Sequence, residues 1–432
     1  MLYSEYLENK RDYQEEGHLF LLEKKHCCLF YKPGKGKTYP CVDAIRDVNE
    51  DLKGKANVLI LSTADAIKNM WDLEIVPQNI LPEHTITMSF SSAIQDKTKI
   101  KLMSVKWDII VIDECHKIKS HNSKISKLVY SLSKIAKYVW GLSGTPRGNS
   151  DVDIYCQFHN MRISEWGDIN YTNFVNLCCD VEKKFFAGNC IQVPIGINAK
   201  YKAGWERNIA EYTQRIGYTE EDNMPECKVR EVYFDFKESQ EYKKLVQGVI
   251  QLSDYETTMT KLVAITKMHQ CANGYLYYDD EDTGKRKTYK ICENDKLEWL
   301  KNNLQKQTLL VYRFEEDLID ISNMLDKIGY TYTEIVDDFM KGKADILILQ
   351  CSRCESFNLQ MCNNIKFYTL DYSYIKYNQM LHRLWRMGQT KPVNVDILLF
   401  KGSIEEDIWN AVKNKEKFAD LFMSVKRGFI FM

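Results

Sequence analysis

The run Cys27-Cys28-Leu29-Phe30-Tyr31 is apolar and ends abruptly in Lys32-Pro33-Gly34-Lys35-Gly36-Lys37-Thr38, after which a helix is predicted through Ile45. A strand, a glycine-containing loop and a helix start in direct succession make a cradle. The glycines let backbone approach a ligand, and the first helical N–H groups point at it together with the positive end of the helix dipole. Such a cradle suits a phosphate chain: Gly34, Lys35 and Gly36 would line it, Lys37 would neutralise its β/γ end, and the Thr38 hydroxyl would ligate magnesium. Taken alone, GKGKT also reads as a basic turn with no ligand. The strict pattern carries a small residue five positions before Gly36, where this chain has Tyr31.

Further along, Asp108-Ile109-Ile110-Val111-Ile112 reads as a buried strand running into Asp113-Glu114-Cys115-His116. A carboxylate at a strand end can hold magnesium through water while its neighbour polarises an attacking water, which assigns metal binding to Asp113 and base chemistry to Glu114. A lone DECH would be a solvated turn. Downstream of a GKGKT loop, it is expected to complete a site for a phosphate chain and magnesium; the resemblance set out below implies that the ligand is ATP.

Length and patterning bound the fold. A chain of 432 residues supports two domains of ordinary size, and 44% hydrophobic with 28% charged residues describes a folded, globular chain. Short apolar runs recur at Val58 to Leu61, Ile109 to Ile112, Thr308 to Tyr312, Ile346 to Leu349, Phe367 to Leu370 and Val395 to Phe400. Amphipathic stretches such as Ser123 to Ala136 and Leu318 to Ile328 alternate with them. That alternation predicts an α/β class with two doubly wound parallel sheets. The aromatic and charged middle, including Tyr171 to Phe186 and Trp205 to Tyr218, is predicted mostly helical. The predicted boundaries are 1–157 for the ATP-binding domain, 158–235 for a helical insertion and crossing, and 236–432 for the second domain.

The balance of 59 basic and 60 acidic side chains gives a net charge of -1, so any groove for a polyanion is a local basic patch. The 14 cysteines form no disulfide framework, and the single CxxC, Cys351 to Cys354, lacks a second metal-binding pair. It reads as a buried strand end in preference to a zinc site. A polar N-terminus without an apolar core, and no run long enough to span a membrane, predict a cytoplasmic chain with no membrane partner.

On these residues the sequence resembles the superfamily-two helicases and, within them, the Swi/Snf family. Asp113 to Ser120 is similar to that family's DEAH-x-IKN stretch, with Ser123 in the matching place, and Leu142-Ser143-Gly144-Thr145-Pro146 to its motif III. Arg11 to Gly17 resembles the segment that reads adenine, Leu59 to Trp71 resembles motif Ia without its usual proline, and Leu309 to Phe314 takes the place of motif IV. Met268 to Gly274 is similar to LRQxCNHP, Asp295 to Glu298 to SGKLE, and Tyr377 to Gln389 to motif VI, whose Arg-Met-Gly-Gln ending favours the Swi/Snf branch. Motif V departs: Cys351 to Leu359 keeps Asn358-Leu359 but none of the usual glycines.

The resemblance implies two RecA-like domains and a motor that moves along double-stranded DNA, RNA being the lesser partner. Tyr13 and Gln14 would then bind adenine, and Gln379 would also bind ATP. His116, Ser143 and Thr145 would couple the phosphate site to DNA. Arg383 and Arg386, expected on one helix face at i and i+3, would stabilise the transferring phosphate. Such a compact chain, with no accessory module evident, is similar to helicases of bacteria and their phages, with a role in DNA replication, recombination or repair and partners from those processes. Two other readings share the ATP site: a strand-separating DNA or RNA helicase, and a nucleotide-gated clamp that barely turns over.

Overall fold

In the computed structural model, the residues described are 2–414 except 145, 147–150, 187–188, 220–221, 253–257, 281–284 and 354–358, with backbone alone at 151, 184–192, 248–252 and 258–262. The chain divides into two compact units, residues 1–183 with 192–222, and residues 184–191 with 223–432.

The first unit is built on β1 (His26–Tyr31), β2 (Val58–Ser62), β3 (Thr85–Ser89), β4 (Ile109–Asp113), β5 (Tyr138–Ser143) and, after the paired strands β6 (Cys179–Phe186) and β7 (Asn189–Ile197), β8 (Thr213–Ile216). The sheet runs in the order β3-β2-β4-β5-β1-β8, every pairing parallel. Strands β2, β4 and β5 are buried at every residue, which is why they read as unbroken apolar runs. Alternate side chains serve opposite faces: Leu59, Leu61, Ile110 and Ile112 enter one core, and Val58, Ile60, Ile109 and Val111 enter the other. Helices therefore cover both faces, and the C-terminal strand ends stay open to loops.

The second unit repeats the plan. Its strands are β9 (Cys227–Asp235), the antiparallel pair β10 (Tyr275–Asp279) and β11 (Arg286–Lys290), then β12 (Thr308–Tyr312), β13 (Tyr332–Thr333), β14 (Ile346–Gln350), β15 (Asn364–Phe367) and β16 (Val393–Lys401). The main sheet is parallel throughout, in the order β13-β14-β12-β15-β16-β9. Here too, alternation splits the core, with Leu309 and Val311 on one face and Leu310 and Tyr312 on the other.

The stretch 158–235, expected as a helical insertion, differs. It supplies an edge strand to each sheet, β8 to the first and β9 to the second. Tyr171 to Phe186 is helical only to Cys178 and continues as β6, and the helix Ala199–Tyr212 gives way at once to β8. The strand predicted over Phe367 to Leu370 lies earlier, at Asn364–Phe367. Among the described residues, no helix is long and apolar enough to cross a membrane.

Candidate active site

The phosphate loop leaves β1 and ends at Lys37, the N-cap of the helix Thr38–Asp51. Gly34 and Gly36 take φ values of +88° and +71°, a region that L side chains rarely enter. At Gly36 space is also closed, because an added Cβ would lie 2.6 Å from Gln14 Nε2. Gln14 and Tyr13 sit on the helix Asp12–Lys24 and hold the loop from behind. Tyr13 Oη donates to Lys35 O at 3.1 Å, and Gln14 Nε2 faces the carbonyls of Lys35 and Gly36, each at 3.4 Å. These are long bonds to the Gln14 amide, while its Oε1 accepts from Arg11 N–H at 3.0 Å.

Tyr31, the departure from the strict loop pattern, has a local explanation. Its ring is fully buried, and its hydroxyl lies within hydrogen-bond reach of Tyr13 O at 3.0 Å and of Gln214 Oε1 on β8. Gly17 makes the room: a Cβ there would lie 2.1 Å from Tyr31 Oη.

The end of β4 brings the acidic pair to the same edge. Lys37 Nζ lies 3.5 Å from Glu114 Oε1 and 3.9 Å from Asp113 Oδ1. Asp113 is buried, with Oδ2 accepting from Ser62 Oγ and Trp71 Nε1, both at 3.2 Å, and Oδ1 accepting from Glu114 N–H at 3.1 Å. Burial pushes the Asp113 carboxyl up, Lys37 pulls it down, and the Glu114 charge adds to the rise. Glu114 takes a left-handed backbone at φ 55°, a strained conformation for a residue with a side chain, and the short helix Cys115–Ile118 follows it. His116 Nδ1 lies 3.1 Å from Ser143 Oγ and 3.2 Å from Glu114 Oε2, so the ends of the neighbouring strands β4 and β5 are joined through an imidazole.

Thr38 and Asp113 are the residues available to a magnesium ion. Among the described residues no group of three His, Cys, Asp or Glu could hold a metal alone. One buried carboxylate and one hydroxyl fit an ion that takes its remaining ligands from water and phosphate oxygens, as magnesium does. The Thr38 hydroxyl here donates to Met70 Sδ at 3.4 Å.

Sequence reasoning missed three contributors. Met70 and Trp71 lie on a π-helix, Ile67–Ile75, whose widened turn follows β2. The resemblance of Leu59 to Trp71 to motif Ia marked the segment but not these contacts. The third is Asp222, whose carboxylate pairs with the Lys35 side chain. Thr145, expected to couple, lies outside the described residues, as does most of motif V, 354–358.

In the second unit, Gln379 and Arg383 lie on the helix Tyr374–Leu384. Arg386 does not share that helix, contrary to expectation. The helix ends at Trp385, whose indole N–H donates to Pro225 O at 2.8 Å, and the chain turns through Gly388 at φ 89°. Gln389 Nε2 then donates to the carbonyls of Gln360 and Cys362, each at 2.9 Å, which fixes the turn that carries Arg386. His269 is a core residue. It accepts from Arg313 Nη1 on Nδ1 at 2.9 Å and faces Glu405 through Nε2 at 3.4 Å. Lys296, equally buried, donates to Glu405 at 2.6 Å, to Tyr368 O at 2.9 Å and to Asn273 Oδ1 at 3.1 Å.

A parallel sheet with GKGKT after its first strand and a carboxylate pair at the end of β4, followed by a second sheet of the same plan, defines a tandem of two parallel α/β units with a candidate phosphate site on the first. Residues 78–184 match the SNF2-related domain. The chain is 22% identical to the SWI/SNF-related matrix-associated actin-dependent regulator of chromatin subfamily A-like protein 1 of Drosophila melanogaster, over 94% of this chain and 55% of that protein. It is 20% identical to the uncharacterized ATP-dependent helicase YqhH of Bacillus subtilis, over 84% of this chain and 70% of the relative. The Sulfolobus solfataricus SWI2/SNF2 ATPase core, solved in complex with dsDNA, aligns over 94% of this chain and 90% of its own at 21% identity, with a TM-score of 0.42. The chain is thus similar to Swi/Snf-related proteins over most of its length, and it spans 55% of the length of the fly relative.

Proposed function

We propose that this protein is an ATP-dependent translocase on double-stranded DNA. The observation that carries the reading is the convergence of Lys37, Asp113 and Glu114 at one sheet edge, with His116 linking Glu114 to Ser143. Lys37 takes the charge of the β/γ-phosphates, and the loop backbone together with the helix N-terminus cradles the chain. Glu114 orients and polarises the attacking water, its carboxylate kept in place by Lys37 and His116. Asp113 and Thr38 would hold magnesium, which when bound would offset charge on the phosphates. Arg383 and Arg386 are assigned, on the family resemblance, to charge that develops as the phosphoryl group transfers. Tyr13 and Gln14 sit behind the loop where they would meet the base.

The Bacillus relative is named an ATP-dependent helicase and the Sulfolobus core was solved with dsDNA, which supports DNA as the track. Contacts to such a track are mostly to phosphates, so binding is largely independent of sequence and weakens with salt. A single ATPase titration tests the reading: turnover with no nucleic acid, single strands, duplex DNA and RNA. The proposal requires the largest rise with duplex DNA. Equal rates in all four, or a rise with RNA alone, would remove it.

A further inference from the structure

The phosphate loop is gripped from outside by the last stretch of the first unit. Lys32 N–H donates to Ile216 O at 2.9 Å, and Tyr218 Oη donates to Pro33 O at 2.8 Å. Lys35 Nζ then donates to both carboxylate oxygens of Asp222. The same carboxylate accepts from Arg11 Nη1 at 3.0 Å and from Thr219 N–H at 2.7 Å. The Lys35 side chain is 2% exposed and that of Asp222 is 0% exposed. Asp222 is also the final residue of the first unit, and position 223 belongs to the second.

A desolvated pair of this kind resists separation, because either charge left alone in the interior is strongly unfavourable. Burial pushes the Asp222 carboxyl up, yet Lys35, the Thr219 N–H and Arg11 together hold it down at about 2. The loop therefore cannot rearrange around Lys35 without carrying Asp222. Tyr13 reinforces the link, its hydroxyl on Lys35 O and its ring 5.4 Å from Lys35 Nζ.

We infer that Asp222 is a positioning residue for nucleotide binding, tying the phosphate loop through Lys35 to the segment that leads out of the first unit. Occupancy of the loop and order in residues 213–219 are thereby coupled, and the coupling acts equally in both directions. This rests on the reading that the GKGKT loop binds phosphates.

Hydrogen exchange of the full chain, with and without ADP and magnesium, tests it. In the wild type, ADP slows amide exchange at 32–38 and also at 213–219. Asp222→Asn weakens ADP binding by about tenfold, and saturating ADP then protects 32–38 alone. Because that variant leaves the Lys35 charge unpaired, Lys35→Met with Asp222→Leu removes both charges together and serves as the folded control. It too loses ADP-dependent protection at 213–219. Wild-type protection confined to 32–38, unchanged ADP affinity in Asp222→Asn, or protection of 213–219 retained in the double variant overturns the inference. If ADP slows exchange nowhere in the wild type, the phosphate-binding reading falls, and the inference with it.

Discussion

His116 Nδ1 and Ser143 Oγ lie 3.1 Å apart, both side chains buried, one after β4 and the other at the end of β5. The same ring nitrogen lies 3.2 Å from Glu114 Oε2. A movement of the Ser143 turn is therefore felt at Glu114 through one rigid ring. Ser143→Ala removes that hydrogen bond, worth about 1 kcal/mol. The ratio of DNA-stimulated to unstimulated ATPase is expected to fall about fivefold, and steady-state rates with and without duplex DNA check it. An unchanged ratio would show that Ser143 carries no coupling.

Trp71 donates its indole N–H to Asp113 Oδ2 from a π-helix that also sets Met70 against Thr38. Trp71→Phe keeps the ring and deletes the donor. Partners of a metal-binding carboxylate commonly alter metal affinity by about 10- to 100-fold when lost. The magnesium concentration that half-saturates ATPase is expected to rise about tenfold, with a thermal midpoint close to wild type. A magnesium requirement that does not move would assign Trp71 to packing alone.

Arg383 and Arg386 are separated by a helix end, so their guanidinium groups come from different backbone elements. Arg383→Ala and Arg386→Ala are each expected to lower turnover by about a thousandfold while leaving ADP affinity within a few-fold. Rapid-quench turnover set beside equilibrium binding separates the two effects. Full turnover in either variant would release that arginine from the role.

The buried network around Glu405 gives the second unit a pH dependence. Burial lowers His269 to about 4 from its usual 6.5, against the pull of Glu405, and Arg313 adds to the fall. Between those values the unfolded chain binds a proton that the folded chain refuses, so stability is full above about pH 6.5 and declines as pH falls to about 4. The shift corresponds to about 3 kcal/mol. Glu405, held at about 2 by Lys296 and His269 despite burial, extends the same decline below pH 4.5. Thermal melts of the wild type and His269→Gln from pH 7.5 to 4 check this: the variant should lose less stability across the window. Parallel curves would show that His269 does not titrate as described.

The strands of both sheets were largely legible because a strand buried on both faces is a continuous apolar run, and Thr308–Tyr312 was read to the residue. Strand β15 was misplaced because it begins Asn364-Ile365-Lys366. Lys366 is tolerated inside only because Asp396 of the neighbouring strand neutralises it, a partner 30 positions away. Strand β6 was read as helix because its character comes from pairing with β7 rather than from its own pattern. The site divides in the same way. Lys37, Asp113, Glu114, His116 and Ser143 stand in short contiguous motifs and could be named in advance, whereas Trp71 and Asp222 reach the site across 42 and 187 positions. The local signal in Arg383 to Gln389 is Gly388, but it stands four residues past the last helical residue, and the helix end itself is fixed by Trp385 finding Pro225 O and Gln389 finding Gln360 O.

The proposed function rests on Glu114 polarising a water beside a phosphate chain that Lys37 would hold. Glu114→Gln keeps the shape and deletes the charge, so ATP binding and ATP hydrolysis should part company. We expect ATP affinity within threefold of wild type, and single-turnover hydrolysis slower by about a hundredfold or more. A variant that hydrolyses ATP at the wild-type rate would contradict the account.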